Sequence, residues 1–494
     1  MEARIYRNFI NGEWKEPAGA DQADVFNPAN GKVLGKVVLS GAAEVDEAVL
    51  AAKKAQKSWK NVPAPERGEL LVKTAQELKE KKEELAQLLT SENGKPIQEA
   101  RGEVQEAIDM GFYMAGEGRR LFGQTVPAEL PGKHAMSLRT PVGVAGLITP
   151  WNFPIAIASW KMFPALISGN TVVWKPALET PGMADAFLHI LEDCGLPAGV
   201  VNLVQGRGDA VGDAVVSHDD TDIISFTGST GTGRKIASKA SGMLKKVSLE
   251  MGGKNAIIVM DSADIDLAVD GILWSGFGTS GQRCTAASRI IVHHSIKETL
   301  EEKLLARTKN LTVGDGADEA SDVGPLIHEQ ALERVNEYMK VGSSEGKLLC
   351  GGSVMRQGKY SKGNYFEPTI FTDVAPDARI AQEEIFGPVL SIIPVDSFEE
   401  ALRVNNEADY GLSSSIFTSD VNEVFRAVNE LDTGIVYVNA GTTGAEIHLP
   451  FGGTKKTGNG YRDSGTASLD IFTEWKSVYV DYSGKLQRAQ IDNY

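Results

Sequence analysis

The chain has 494 residues, more than a single hydrophobic core usually supports, so two or three domains are expected. Hydrophobic residues make up 42% and charged residues 23%, the balance of an ordinary globular protein, which sets aside disordered, collagen-like and membrane classes. Against 66 Asp and Glu stand 50 Lys and Arg, and the net charge of −16 argues against a nucleic-acid partner.

The first residues lack the basic and apolar regions of a signal peptide, and the most apolar stretch, 153–173, is interrupted by Pro154, Lys161, Pro164 and Asn170, so no membrane span is expected. Cys194, Cys284 and Cys350 are too few and too widely spaced for a disulfide framework or a zinc cluster. The seven histidines include the neighbours His293 and His294 but no i, i+4 pair. A reduced, cytoplasmic, metal-free protein is the expectation.

In chain order, residues 10–14 read as a small hairpin around Asn11-Gly12. Leu71, Leu78, Leu85 and Leu88 predict one long charged helix over 66–91 that packs on a domain. Short buried strands are expected at 143–148 and 170–174. Strand 200–204, helix 209–216, strand 223–226 and helix 233–245 then alternate, the pattern of a parallel, doubly wound sheet. A second block follows with strand 256–259, helix 265–277 and strands 290–292 and 415–417. Residues 342–363, rich in glycine, serine and lysine, read as an exposed loop. The segment 475–482 alternates like an apolar strand at a chain end; pairing with another subunit is favoured over packing on its own. No internal repeat or low-complexity tract is present.

Cys284 carries the clearest chemistry. Glycine and small polar residues surround it, and Arg283 and Arg289 flank it, an arrangement expected to favour the thiolate. Upstream, Glu250 is followed by Met251 and two glycines. A thiol with a glutamate base is the minimum set for making and hydrolysing a thioester. Asn152, between aromatic and proline residues in TPWNFP, is either an oxyanion donor or a turn asparagine. Lys175 in WKPA suits sugar hydroxyls or phosphate, or is solvated. The run FTGSTGTG opens a helix after a strand and is either a pyrophosphate cradle or a tight turn. In EEIFGP, Glu384 and Phe386 can bond a ribose and wall a ring, although paired glutamates usually face solvent. PFGG lines a pocket or only a turn.

The ordered set TPWNFP, WKPA, FTGST, EMGGK, GQRCTA, EEIFGP and PFGG resembles the aldehyde dehydrogenase superfamily over nearly the whole chain. The resemblance implies an α/β fold: a Rossmann-like NAD(P)-binding domain (1–120 and 142–252), a second α/β catalytic domain (253–452), and a small β oligomerisation flap (121–141 and 470–494). It implies Cys284 as nucleophile, Glu250 as general base, and Asn152 with the Cys284 backbone N–H as the oxyanion hole. Cofactor contacts would come from Trp151, Lys175, Leu178, Gly228, Ser229, Glu384 and Phe386, and pocket walls from Phe153, Trp160, Arg283 and Phe451. Many NAD-preferring members carry a glutamate where this chain has Leu178, so NADP is expected beside NAD, unless Glu179 restores the preference. The reaction implied is oxidation of a small-molecule aldehyde to its acid by a homodimer or homotetramer.

Glu250 speaks against members that pass the acyl group to coenzyme A, no histidine base supports a cysteine hydrolase, and Cys284, Glu250 and Asn152 together speak against a non-catalytic relative. Broad aliphatic or aromatic specificity is the leading reading. The alternative is a dedicated acid-semialdehyde enzyme, near the 2-oxoglutarate- and aminoadipate-semialdehyde groups, with Arg283 or His448 binding the substrate carboxylate.

Overall fold

A computed structural model describes residues 4–17 and 19–491. Its first seven-stranded sheet runs in the order Lys246–Glu250, Ile223–Thr227, Val144–Ile148, Thr171–Lys175, Val201–Leu203, Asn8–Ile10, Glu13–Lys15. The first five strands are parallel and the last two join antiparallel. Every residue of Val144–Ile148 and Thr171–Lys175 is buried, as expected of parallel strands covered on both faces. From Val144–Ile148 the chain fills the sheet in one direction and later resumes on the other side with Ile223–Thr227. That reversal opens a crevice beyond the strand ends, the usual ligand position in such sheets. TPWNFP and FTGST leave those two strands and line its two sides.

The second sheet is ordered Lys347–Cys350, Thr369–Thr372, Val389–Val395, Ala287–His293, Asn255–Val259, Ser413–Phe417, Ile435–Val438, and only its first strand is antiparallel. Lys246–Glu250 ends the first sheet and Asn255–Val259 begins in the second. The four residues between them join the sheets, which sets Glu250 at the seam.

A third sheet joins Gln124–Val126, Lys133–Pro141 and Thr473–Asp481. The C-terminal strand, expected to pair with another subunit, pairs instead with its own chain, from Thr473 opposite Pro141 to Asp481 opposite Lys133. Its partner lies more than three hundred residues earlier, where no local pattern points. The outer edge still carries exposed Trp475, Tyr479 and Val480.

Two further expectations are corrected. The helix over 66–91 is two helices, Ala64–Glu80 and Lys82–Asn93, broken at Lys81 (φ −92°, ψ 10°). A seven-residue apolar repeat drifts about 20° per heptad on a straight helix. The break re-aims the second helix so that Leu85 and Leu89 are buried and Leu88 only half-buried. The loop over 342–363 holds the end of helix Glu329–Glu345 and two short strands, Lys347–Cys350 and Val354–Met355. Gly342 serves packing, since a Cβ there would lie 2.5 Å from the Phe371 ring. Elsewhere the differences are at element ends: Gly208–Gly212 is a π-turn leading into Asp213–Ser217, and the following helix spans Thr230–Gly242. The hairpin turn has Asn11 and Gly12 at φ 54° and 82°, as a two-residue turn of this hand requires. No described helix is long and apolar enough to cross a membrane.

Candidate active site

Two cavities meet at Cys284. One, of about 370 Å³, fills the crevice and is lined by Trp151, Asn152, Gly228, Ser229, Gly252, Arg334, Glu384 and Phe386. The other, of about 190 Å³, is walled by Phe153, Trp160, Glu250, Trp274, Arg283, Thr443, Phe451 and Asp463. Cys284 lines both, so one thiol faces ligands entering from either side.

The crevice fits a dinucleotide. Ser229 caps helix Thr230–Gly242, its Oγ accepting from Thr232 N at 3.3 Å, so a helix N-terminus points at the cleft. Glu384 Oε1 accepts from Gly253 N at 3.1 Å, and a Cβ on Gly252 would lie 2.2 Å from the same carboxylate. Burial raises the Glu384 carboxyl. Phe386 stands edge-on to Trp151, with ring centroids 5.7 Å apart, and its φ of 61° is strained for a bulky residue. Behind Glu384, the Lys254 Nζ is buried without a hydrogen-bond partner among the described residues, and burial together with Arg289 pushes it down to about 7. Lys175 is lowered by burial, opposed by the charges of Glu179 and Asp209. Leu178 packs on the small cluster of Tyr6, Val25 and Val37 and, with Glu179, lines a neighbouring pocket that shares His328 and Gln330 with the crevice. The carboxylates that act on Lys175 are those of Glu179 and Asp209.

Cys284 follows a left-handed run, Thr279, Ser280 and Gly281 (φ 49°, 56° and 69°), an unusual conformation for the first two. Asn255 Nδ2 clamps the backbone beyond it, donating to Cys284 O at 2.7 Å and Ala286 O at 2.9 Å. The thiol is pushed up to about 12, by burial first and then by the charges of Glu250 and Glu384. Stabilisation of a thiolate by the flanking arginines is therefore corrected. Arg289 is buried, donating to the carbonyls of Lys254, Val404 and Asn405. Arg283 pairs with Glu99 and Thr279. Both guanidiniums turn to acceptors distant in sequence, so adjacency to Cys284 confers no activation.

Asn152 is fixed from both ends. Its Nδ2 donates to Gln282 O at 3.1 Å, which leaves a second N–H free. Its backbone carbonyl accepts from Lys95 Nζ at 2.8 Å, and Lys95 is paired with Glu103 at 2.5 Å, both wholly buried. Glu103 Oε1 in turn accepts from Ile155 N at 3.0 Å and Ala156 N at 3.3 Å, which pins the turn.

Both carboxyl oxygens of Glu250 are buried without a hydrogen-bond partner among the described residues. Burial and then Asp463 raise its carboxyl well above the ordinary range, while Lys161 and Arg462 pull it down. Lys161 Nζ lies 2.7 Å from Asp463 Oδ2 and 3.0 Å from Ser225 Oγ. Gly452 of PFGG makes room, because a Cβ there would lie 2.5 Å from Glu250 Oε1. Lys161 and Asp463 were not singled out by their sequence, though a lysine within the apolar run 153–173 is a signal, since a buried ammonium demands a partner.

Phe153, Trp160 and Phe451 line the smaller cavity, with Trp160 and Phe451 edge-on at 5.0 Å. His448 does not line it; half-exposed, it sits 3.4 Å from Glu446. Among the described residues no group of three or more His, Cys, Asp or Glu could hold a metal ion.

The model of the aldehyde dehydrogenase family matches residues 14–478. The chain is 44% identical over 481 residues to alpha-ketoglutaric semialdehyde dehydrogenase of Bacillus subtilis, covering 97% of this chain and 99% of that protein. It is 44% identical over 479 residues to alpha-ketoglutarate semialdehyde dehydrogenase of Haloferax volcanii, covering 96% and 99%. Its fold superposes on the crystal structure of betaine aldehyde dehydrogenase from Staphylococcus aureus in complex with NAD+ with a TM-score of 0.95, at 34% identity, covering 97% of this chain and 96% of that one. A thiol, a buried carboxyl and a held amide at the junction of two cavities agree with these matches: the chain belongs to the aldehyde dehydrogenase family.

Proposed function

We propose that this protein oxidises an aldehyde to its carboxylic acid with NAD or NADP, through a thioester on Cys284. The observation that carries the reading is the position of Cys284 at the meeting of two cavities, with Asn152 on one side and Glu250 on the other. Ser229 with Gly228 would hold the pyrophosphate, Lys175 the adenosine ribose and Glu384 the nicotinamide ribose, with Phe386 and Trp151 beside the ring. A nicotinamide bound there supplies a hydride acceptor.

The chain's own residues do the rest. Cys284 gives up its thiol proton to water in the cavity, and Sγ adds to the aldehyde carbon. The developing oxyanion accepts from the free N–H of Asn152 and the backbone N–H of Cys284, donors already fixed before reaction. Loss of hydride from the adduct leaves an acyl thioester. Glu250 then takes a proton from water; the hydroxide attacks the acyl carbon, the C–S bond breaks and the acid departs. The proton taken up by Glu250 is released to solvent as the acid departs, which restores the carboxylate for the next turnover.

The two sheets support a cofactor-binding part (1–120 and 142–252) and a catalytic part (253–452), with 121–141 and 470–494 as a contact surface for a homodimer or homotetramer in the cytoplasm. The second reading of substrate, an acid semialdehyde, is favoured by the two relatives at 44% identity. The test is cofactor reduction without coenzyme A, over aliphatic, aromatic and acid semialdehydes, each with NAD and NADP. Turnover without coenzyme A is the expected result. Activity only when coenzyme A is present would overturn hydrolysis, and complete rejection of NADP would overturn dual cofactor use and assign preference to Glu179.

A further inference from the structure

We propose that Lys254 is a positioning residue for Glu384: its buried ammonium keeps the neighbouring carboxyl ionised, so that the nicotinamide ribose meets an acceptor for both hydroxyls. The inference rests on the reading of Glu384 as the ribose ligand. Residues 251–254 cross from the first sheet to the second, and within them Gly253 N holds Glu384 Oε1 at 3.1 Å. The carboxylate lies so close that a Cβ on Gly252 would stand 2.2 Å from its Oε2. Lys254 comes next in the chain and is itself buried, and its Nζ has no hydrogen-bond partner among the described residues. A buried ammonium needs a counter-charge, and the carboxylate that acts on it most is Glu384.

The other charges around Lys254 are engaged elsewhere. Arg289, on strand Ala287–His293, donates to the carbonyls of Lys254, Val404 and Asn405. Glu383 accepts from Arg379 Nη2 at 2.9 Å and from the Tyr338 hydroxyl at 2.8 Å. Arg334, on helix Glu329–Glu345, is exposed and donates to the backbone carbonyl of Glu384 rather than to its carboxyl. The Glu384 carboxyl is left with one neutral donor, Gly253 N, and with the buried charge of Lys254 behind it.

Burial raises the Glu384 carboxyl, while the Gly253 hydrogen bond, Arg334 and Lys254 lower it. Burial and then Arg289 push Lys254 down to about 7, against the pull of Glu384 and Glu383. The two side chains therefore compete for one proton, and the ammonium–carboxylate form is the one in which each charge meets its opposite. An ionised carboxyl accepts from both ribose hydroxyls, whereas a protonated one turns one oxygen into a donor. Without Lys254, burial is opposed only by Gly253 and the exposed Arg334, so the carboxyl takes up the proton at a higher pH.

The test is binding, not turnover: NAD and ADP, which lacks the nicotinamide ribose, are titrated into the full-length protein at about pH 6 and about pH 9, on either side of the Lys254 ionisation. Lys254→Met should bind NAD roughly tenfold more weakly than the wild type at the lower pH, where its Glu384 is protonated, and equally well at the higher pH, where Glu384 is ionised in both. ADP should bind both proteins alike. Lys254→Gln, a second neutral replacement, should behave as Lys254→Met does. Recovery at the higher pH is a signature that damage to the fold would not produce. Glu384→Gln should weaken NAD at both pH values, and adding Lys254→Met to it should cost nothing further. Wild-type NAD affinity at the lower pH in the Lys254 variants, or a loss that persists at the higher pH or extends to ADP, would overturn the role of Lys254, and a weakened Glu384→Gln would leave the ribose reading standing. Wild-type NAD affinity in Glu384→Gln would overturn the ribose reading and the role of Lys254 with it.

Discussion

Glu250 and Asp463 line one pocket, and the Lys161 ammonium is paired with Asp463 at 2.7 Å. The charge of Asp463 raises the Glu250 carboxyl and Lys161 lowers it. Glu250 works as a base only when ionised, so the acidic limb of the hydrolytic rate follows its ionisation. Asp463→Asn removes the opposing negative charge and should move that limb to lower pH, by about one unit. Lys161→Met removes the cation and should move it to higher pH. Profiles of kcat against pH check both signs; movement of the two variants in one direction would separate this cluster from Glu250.

Asn152 offers one N–H to Gln282 O and has one to spare. Asn152→Ala should lower kcat by roughly 100- to 1,000-fold, the usual cost of one oxyanion donor, with cofactor affinity little changed. Pre-steady-state reduction of the cofactor and its binding titration report the two quantities separately.

Lys95 and Glu103 form a wholly buried ion pair beneath the Asn152 turn. Lys95→Met leaves the Glu103 carboxylate buried without its counter-charge, a loss of about 3–5 kcal/mol. Urea unfolding measures it, and a change within the scatter of surface substitutions would contradict the assigned role.

Glu92 accepts from Gly182 N at 2.7 Å and Met183 N at 2.9 Å at the start of helix Pro181–Asp193. Burial nonetheless pushes its carboxyl from 4.5 up to about 8. Between those values the folded protein holds a proton that the unfolded chain has released. Its contribution to stability is therefore full below the lower value and declines as pH rises through the window. Glu92→Gln should flatten that slope, as unfolding midpoints taken at the two ends of the window will report.

Much of this architecture can be read from the chain. Buried parallel strands such as 144–148 and 255–259 are short apolar runs bounded by turns, and the glycines of FTGST and EMGGK mark where backbone must lie close to a neighbour. Less legible is whatever depends on a distant partner. Thr473–Asp481 reads as a strand, yet Lys133–Pro141, its mate, shares no local pattern with it. Arg283 reads as an activator of its neighbour until Glu99, far back in the chain, claims one edge of it. Lys161 reads as an interruption of an apolar run, and only the fold brings Asp463 to it. The break at Lys81 has no glycine or proline to announce it, being set by the drift of the apolar stripe against the surface beneath.

The central claim is an acyl group carried on Cys284 and released by Glu250. The most direct measurement is peptide mass spectrometry of Glu250→Gln protein mixed with cofactor and aldehyde and quenched after one turnover. The account predicts a burst of reduced cofactor equal to the enzyme present, slow turnover afterwards, and the acyl mass on the peptide containing Cys284. A full steady-state rate in this variant, or an acyl group on Cys194 or Cys350 with Cys284 unmodified, would contradict it.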